Sequence, residues 1–174
     1  VFNVTRFAGA TILLLIMALS AGTPWRTDSI ALYAAYWLFA LASVVFSLSS
    51  SNARILNSYS IPVVDMPMLF VMQSTSMALA GNYLDAETYG RLTGATAGYS
   101  IAMYSLLIML ATLSVKFFQI MFAFLLAFFF QSRLCSQAGL SPVASVEAFF
   151  LLLLVSGLCY FARRHVLVRS TTTS

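Results

Sequence analysis

Residues 141–165 read SPVASVEAFFLLLLVSGLCYFARRH, and this stretch decides the fold class. Between Pro142 and Ala162 the single charged side chain is Glu147. About 20 mostly apolar residues, wound as a helix, match the hydrocarbon thickness of a bilayer. Ser141 suits the N-cap and Pro142 the first helical position, where its missing N–H costs nothing. Arg163, Arg164 and His165 then close the run as a membrane exit.

Working back toward the N-terminus, the same pattern recurs five times. The expected spans are residues 4–21, 30–48, 63–80, 95–115, 117–131 and 142–162, with 163–174 as a basic cytoplasmic tail or connector whose end, from Ser170, reads as disordered. The breaks between them are legible. Gly22-Thr23-Pro24 ends the first run, and Trp25 suits an interfacial anchor. Serines 47, 49, 50 and 51 end the second. Gly81-Asn82 and the polar stretch from Asp85 to Arg91 follow the third. Lys116 separates the fourth from the fifth so tightly that the two should form an antiparallel hairpin. Gln119 and Gln131 bracket the fifth, the shortest run. The reading is an all-α polytopic membrane protein, a bundle of six transmembrane helices. The first run, preceded by Arg6, also has the look of a signal peptide. Five apolar runs behind it favour a retained span.

Composition agrees. Of 174 residues, 61% are hydrophobic and 8% charged, against about 25% charged in soluble domains. A soluble fold of this length has too much surface to hide that apolar content. The net charge of +4 is scattered along the chain. Nucleic-acid binding, which needs clustered Lys and Arg, is excluded. Six spans with an inner N-terminus place Arg6, Arg54, Lys116, Arg163, Arg164 and Arg169 inside, and Arg26, Arg91 and Arg133 outside. This basic excess orients both ends toward the cytoplasm, consistent with a bacterial inner membrane. Asn3-Val4-Thr5 matches a glycosylation sequon but falls on the cytoplasmic side. Cys135 and Cys159 fall near opposite faces, too far apart for an intrachain disulfide.

A few residues are candidates for function. An ionisable group within a membrane is a functional hypothesis by default, because its burial costs energy. Asp65, in Pro62-Val63-Val64-Asp65-Met66-Pro67, reads either as the N-cap of the third helix or as a polar switch facing a partner. Glu147 reads either as an interfacial carboxylate at a helix start or as a sensor of ligand or proton. Gln73 suits a buried interhelical hydrogen bond. Gly90, Gly94, Gly98 and Ala102 form a small-residue stripe at four-residue spacing. It reads as a packing face within one subunit, with a dimer seam as the alternative. The aromatic run from Phe117 to Phe130 surrounds its helix, which fits lipid contact or core packing better than a cofactor box.

The chain has one histidine, so no pair of histidines is offered to haem, and no metal-ligand cluster is apparent. It has no phosphate-binding glycine loop and no nucleophile–base set. No cofactor is expected, and catalysis by these residues alone is not. A transporter would show matched broken helices or several buried charges, and only the Pro62–Pro67 region looks broken.

The order of the proline-bracketed acidic motif running into Met68-Leu69-Phe70-Val71-Met72-Gln73, then Ala97-Gly98-Tyr99-Ser100, then Gln137-Ala138-Gly139-Leu140-Ser141, then Arg163-Arg164, resembles the N-terminal six-helix membrane domain of bacterial class III adenylate/guanylate cyclases. The resemblance covers nearly the whole chain. It implies six helices, a short cytoplasmic connecting helix and a catalytic domain that works as a dimer. This chain would then be the part that anchors, dimerises and senses, with its signal leaving through the sixth helix. The metal-binding and base-selecting residues of a cyclase have no counterpart among these residues. The contrasting reading is a small accessory subunit of a larger respiratory or photosynthetic membrane complex. The expected partners are the lipid bilayer and either a second copy of the chain or other membrane subunits.

Overall fold

The computed structural model describes residues 2–19, 24–49, 60–112 and 117–172. Within them the secondary structure is helical: α1 (Phe2–Leu19), α2 (Pro24–Ser49), a π-helical turn (Ile61–Asp65) running into α3 (Met66–Ala80), α4 (Ala86–Thr112), α5 (Phe117–Gln137) and α6 (Pro142–Thr172). The all-α expectation holds. Four stretches are long and apolar enough to cross a membrane: Ile61–Ala80, Ala86–Leu110, Phe118–Gln137 and Pro142–Ala162. Arg6–Leu19 and Ser29–Val45 are shorter apolar stretches. Arg54 and Lys116, two of the inner basic residues, lie outside the described residues.

Several boundaries differ from the expected ones, each for a local reason. The second helix starts at Pro24 rather than at residue 30. Proline does not break the chain here; its fixed φ preorganises a first turn. The fourth starts at Ala86 rather than at residue 95. The polar stretch is the beginning of the helix. Asp85 caps it, its Oδ1 accepting the Thr88 backbone N–H at 3.0 Å, and Glu87 and Arg91 pair across one turn at 2.6 Å. The Thr88 backbone N–H, followed by the Thr88 hydroxyl, holds the Asp85 carboxyl below its ordinary value. The fifth runs to Gln137 rather than stopping at residue 131, because Gln131 faces inward. The sixth continues through Ser170 to Thr172, where a disordered end was expected.

The chain divides into two compact units. The first comprises Val1–Asn57 and Met68–Thr93. In it α1 and α2 form an antiparallel hairpin. Asn3 Nδ2 donates to Ser43 O at 3.2 Å, and Trp37 Nε1 donates to Thr11 Oγ1 at 2.9 Å, so contacts that climb α1 descend α2. Ala10 and Ala40 are buried. The Phe7 and Trp37 rings meet at 5.5 Å, and the Arg6 guanidinium lies 5.9 Å from the Phe39 ring centroid. Ser76 Oγ donates to Ser29 Oγ at 3.4 Å, tying α3 to α2.

The second unit comprises Ser58–Pro67 and Gly94–Ser174. Here α5 packs along α6, with Phe149 edge-on to Phe124 at 5.6 Å and to Phe128 at 5.1 Å. On the opposite side of α5, Phe118, Phe122 and Phe129 are exposed. The aromatic run thus divides between packing and an outward apolar surface. The link from α5 to α6 is a Schellman cap. Leu140 N–H donates to Cys135 O at 3.0 Å and Gly139 N–H to Ser136 O at 3.2 Å, with Gly139 at φ 66°. Pro142 then opens α6. Hydroxyls within the apolar helices serve themselves: Ser100 donates to Thr96 O at 2.7 Å and Ser156 to Leu152 O at 2.8 Å. In lipid such back-bonding answers a donor that water cannot reach.

Candidate functional site

Pro62 and Pro67 are five residues apart, and this spacing is the origin of the π turn. In an α-helix the Pro67 ring would press on the carbonyl four residues earlier. The wider turn relieves that pressure, with Met66 N–H donating to Ile61 O. Ser60 and Met66, which flank the turn, are both in the right-handed helical region. Asp65 is therefore not an N-cap, as the sequence suggested. It is a buried residue inside continuous helical backbone. Turns of this kind are concentrated at functional positions. Within the second unit the π turn packs against α5.

The other sequence candidates lie apart. Gln73 is buried on α3 and belongs to the first unit. Glu147 is exposed in the second turn of α6, beside exposed Val143, Val146 and Phe150. Arg164 is exposed on the same helix, and the side chains of Arg163 and His165 lie outside the described part of the structure. No group of three or more metal-ligating side chains occurs among the described residues.

The glycine stripe is corrected. A Cβ added at Gly90, Gly94 or Gly98 would meet nothing within 4 Å, and Ala102 is exposed. The stripe is thus not a packing face among the described residues of this chain. Exposed Tyr99, Leu106 and Met109 continue an apolar surface on the same helix.

Sequence reasoning missed the polar centre of the second unit. Gln131, read as the end of a helix, is fully buried on α5. Its Nε2 donates to Ala97 O on α4 at 2.8 Å and lies 3.6 Å from Cys135 Sγ, one turn along. Tyr104 on α4 is fully buried as well. The signal was present: Thr93, Ala97, Ser100, Tyr104 and Ile108 recur every three or four residues, and all are buried.

No family model matches this chain, nor does any curated protein or solved structure.

The arrangement offers no nucleophile–base pair. It offers polar groups buried in apolar helices, a π turn carrying a carboxylate, an open small-residue face, and a long last helix. These are parts for holding and transmitting a conformation.

Proposed function

We propose that the chain is a membrane-anchoring, dimerising and sensory domain that controls a cytoplasmic output domain, as in the class III nucleotide cyclases it resembles. The observation that carries this reading is α6. Its apolar part ends at Ala162, yet the helix runs on through Arg163 and Arg164 to Thr172. A helix of 31 residues is roughly 46 Å long at 1.5 Å per residue, well beyond a hydrocarbon core of about 30 Å. Such a rod carries a rotation or shift from the bilayer to whatever follows it.

In this reading α1 and α2 also span, giving six crossings with both ends inside. Arg163, Arg164 and Arg169 then sit at the inner surface in accord with the positive-inside bias. The open stripe Gly90, Gly94, Gly98 and Ala102 forms the seam with a second copy. Asp65 on its π turn and Glu147 near the outer end of α6 are the polar points through which ligand, proton or lipid acts. The open faces of α4 and α6 also suit an accessory subunit of a larger membrane assembly, and purification distinguishes the two: a homodimer against a set of other chains.

The test is a fusion of a dimerisation-dependent cyclase catalytic domain behind α6, with cyclic nucleotide as the readout. Two alanines inserted after Arg164 rotate everything beyond them by about 200°. Output should fall at least tenfold, and a seven-residue insertion, close to two full turns, should restore most of it. Equal output from all three fusions would overturn the proposal.

A further inference from the structure

The second unit contains two fully buried side chains whose polar atoms are only partly answered. Tyr104 Oη has no hydrogen-bond partner, and neither has Gln131 Oε1. The orientation of the Gln131 amide is fixed by its other end. Its Nε2 donates to Ala97 O, and a flip would set two acceptors against each other. Oε1 therefore remains an acceptor in need of a donor. Buried polar atoms in folded proteins are almost always answered, by protein or by an ordered water.

The two groups share one level of the unit. The Gln131–Ala97 bond fixes one crossing of α4 and α5, and the short link at residues 113–116 fixes the other, so the helices are antiparallel. Tyr104 lies seven residues beyond Ala97, about 10 Å along the axis. Helical side chains lean toward their own N-terminus. Tyr104 leans along α4 toward Ala97, and Gln131 leans along α5 toward the level of Tyr104. Opposite that level α5 carries the buried, small Ala123 and Ala127, which leave room between the helices.

We propose that Tyr104 and Gln131 hold one buried water between α4 and α5. It accepts from Tyr104 Oη and donates to Gln131 Oε1, two partners of the kind that keep a water ordered. The chain Tyr104–water–Gln131–Ala97 then cross-links the hairpin through a polar path inside an apolar unit. This inference stands independently of membrane orientation and of any output domain.

A double-mutant cycle on the full chain in one detergent tests it, with thermal unfolding as the readout. Tyr104→Phe should lower Tm by a few degrees, about 3 °C for a chain of this size. In a Gln131→Met background the same change should have almost no effect, since the water has already lost its second partner. An equal fall in both backgrounds overturns the link, and so does a rise in Tm from Tyr104→Phe alone. Infrared difference spectra in ordinary and oxygen-18 water supply the second measurement. The wild type should show an isotope-sensitive band from a buried water, and Tyr104→Phe should lack it. Coupling without such a band would assign a direct tyrosine–glutamine bond and refute the water.

Discussion

Gly98→Ile separates the two readings of α4 most sharply. The structure supplies the baseline for the monomer. A Cβ at Gly98 would meet nothing within 4 Å, and the neighbouring stripe positions Gly90 and Gly94 are equally open. A side chain added there costs no packing within the chain. Replacing a helical glycine relieves backbone entropy, a gain of up to about 1 kcal/mol for alanine and less for a β-branched residue. The monomer should therefore unfold at the same temperature or slightly higher. Association should move the other way. Small residues at four-residue spacing let two helix backbones approach closely, and the stripe from Gly90 to Ala102 covers roughly 18 Å of axis. A branched side chain near its middle holds the backbones apart, and a loss of about 2 kcal/mol, typical of a small-to-large clash, weakens dimerisation by about thirtyfold. The assay is the dissociation constant from energy transfer between donor- and acceptor-labelled copies in bicelles, with Gly98→Ala as the mild control. Unchanged dimerisation alongside an unchanged Tm would refute the seam. A large fall in Tm would refute the openness of the face itself.

Three further outcomes follow from particular contacts. Gln131→Leu removes the bond to Ala97 O and should destabilise the chain by about 0.6 kcal/mol, and at most about 1.7, as interhelical hydrogen bonds in membranes do; reversible unfolding in mixed micelles measures it. Gly139→Ala should cost about 1 kcal/mol although a Cβ has open space there, because φ 66° is left-handed backbone, and Gly139→Asn should cost less; the same unfolding assay reads both. The Asp85 cap gives a pH dependence whose direction is fixed. Its folded pKa is lowered from 3.8, so the cap's contribution is fully present above the unfolded value and is lost as pH falls through the lower folded one. Amide exchange at the start of α4 should accelerate relative to the rest of the chain below about pH 4, and Asp85→Ala should abolish that change.

Hydropathy made the helices legible, because a run of 20 apolar residues has few other uses. It could not place their ends. Hydropathy stops at the first charge, whereas a helix stops where its hydrogen bonds stop. Asp85 to Arg91 looked like a loop because it is polar, yet Asp85 is a cap and Glu87 and Arg91 pair along the helix. Gln131 looked like an end because it is polar, yet its partner lies 34 positions earlier in the chain, at Ala97. Asp65 was singled out correctly as unusual and given the wrong local structure, since nothing in propensity distinguishes a cap from a π turn between two prolines. The glycine stripe was visible, but whether a helix face is covered depends on tertiary packing. The Gln137–Ser141 segment, part of the family resemblance, has a purely local explanation in the Schellman cap, so it carries less weight for ancestry than its regularity suggests.

The central claim is that lipid surrounds these helices and that α6 delivers the chain to the cytoplasm. Compartment reporters fused in turn to the two ends of the membrane-bound chain test it most directly. The account predicts a cytoplasmic signal from both. Reporters answering from opposite compartments would contradict the six-crossing arrangement and the direction in which α6 would transmit.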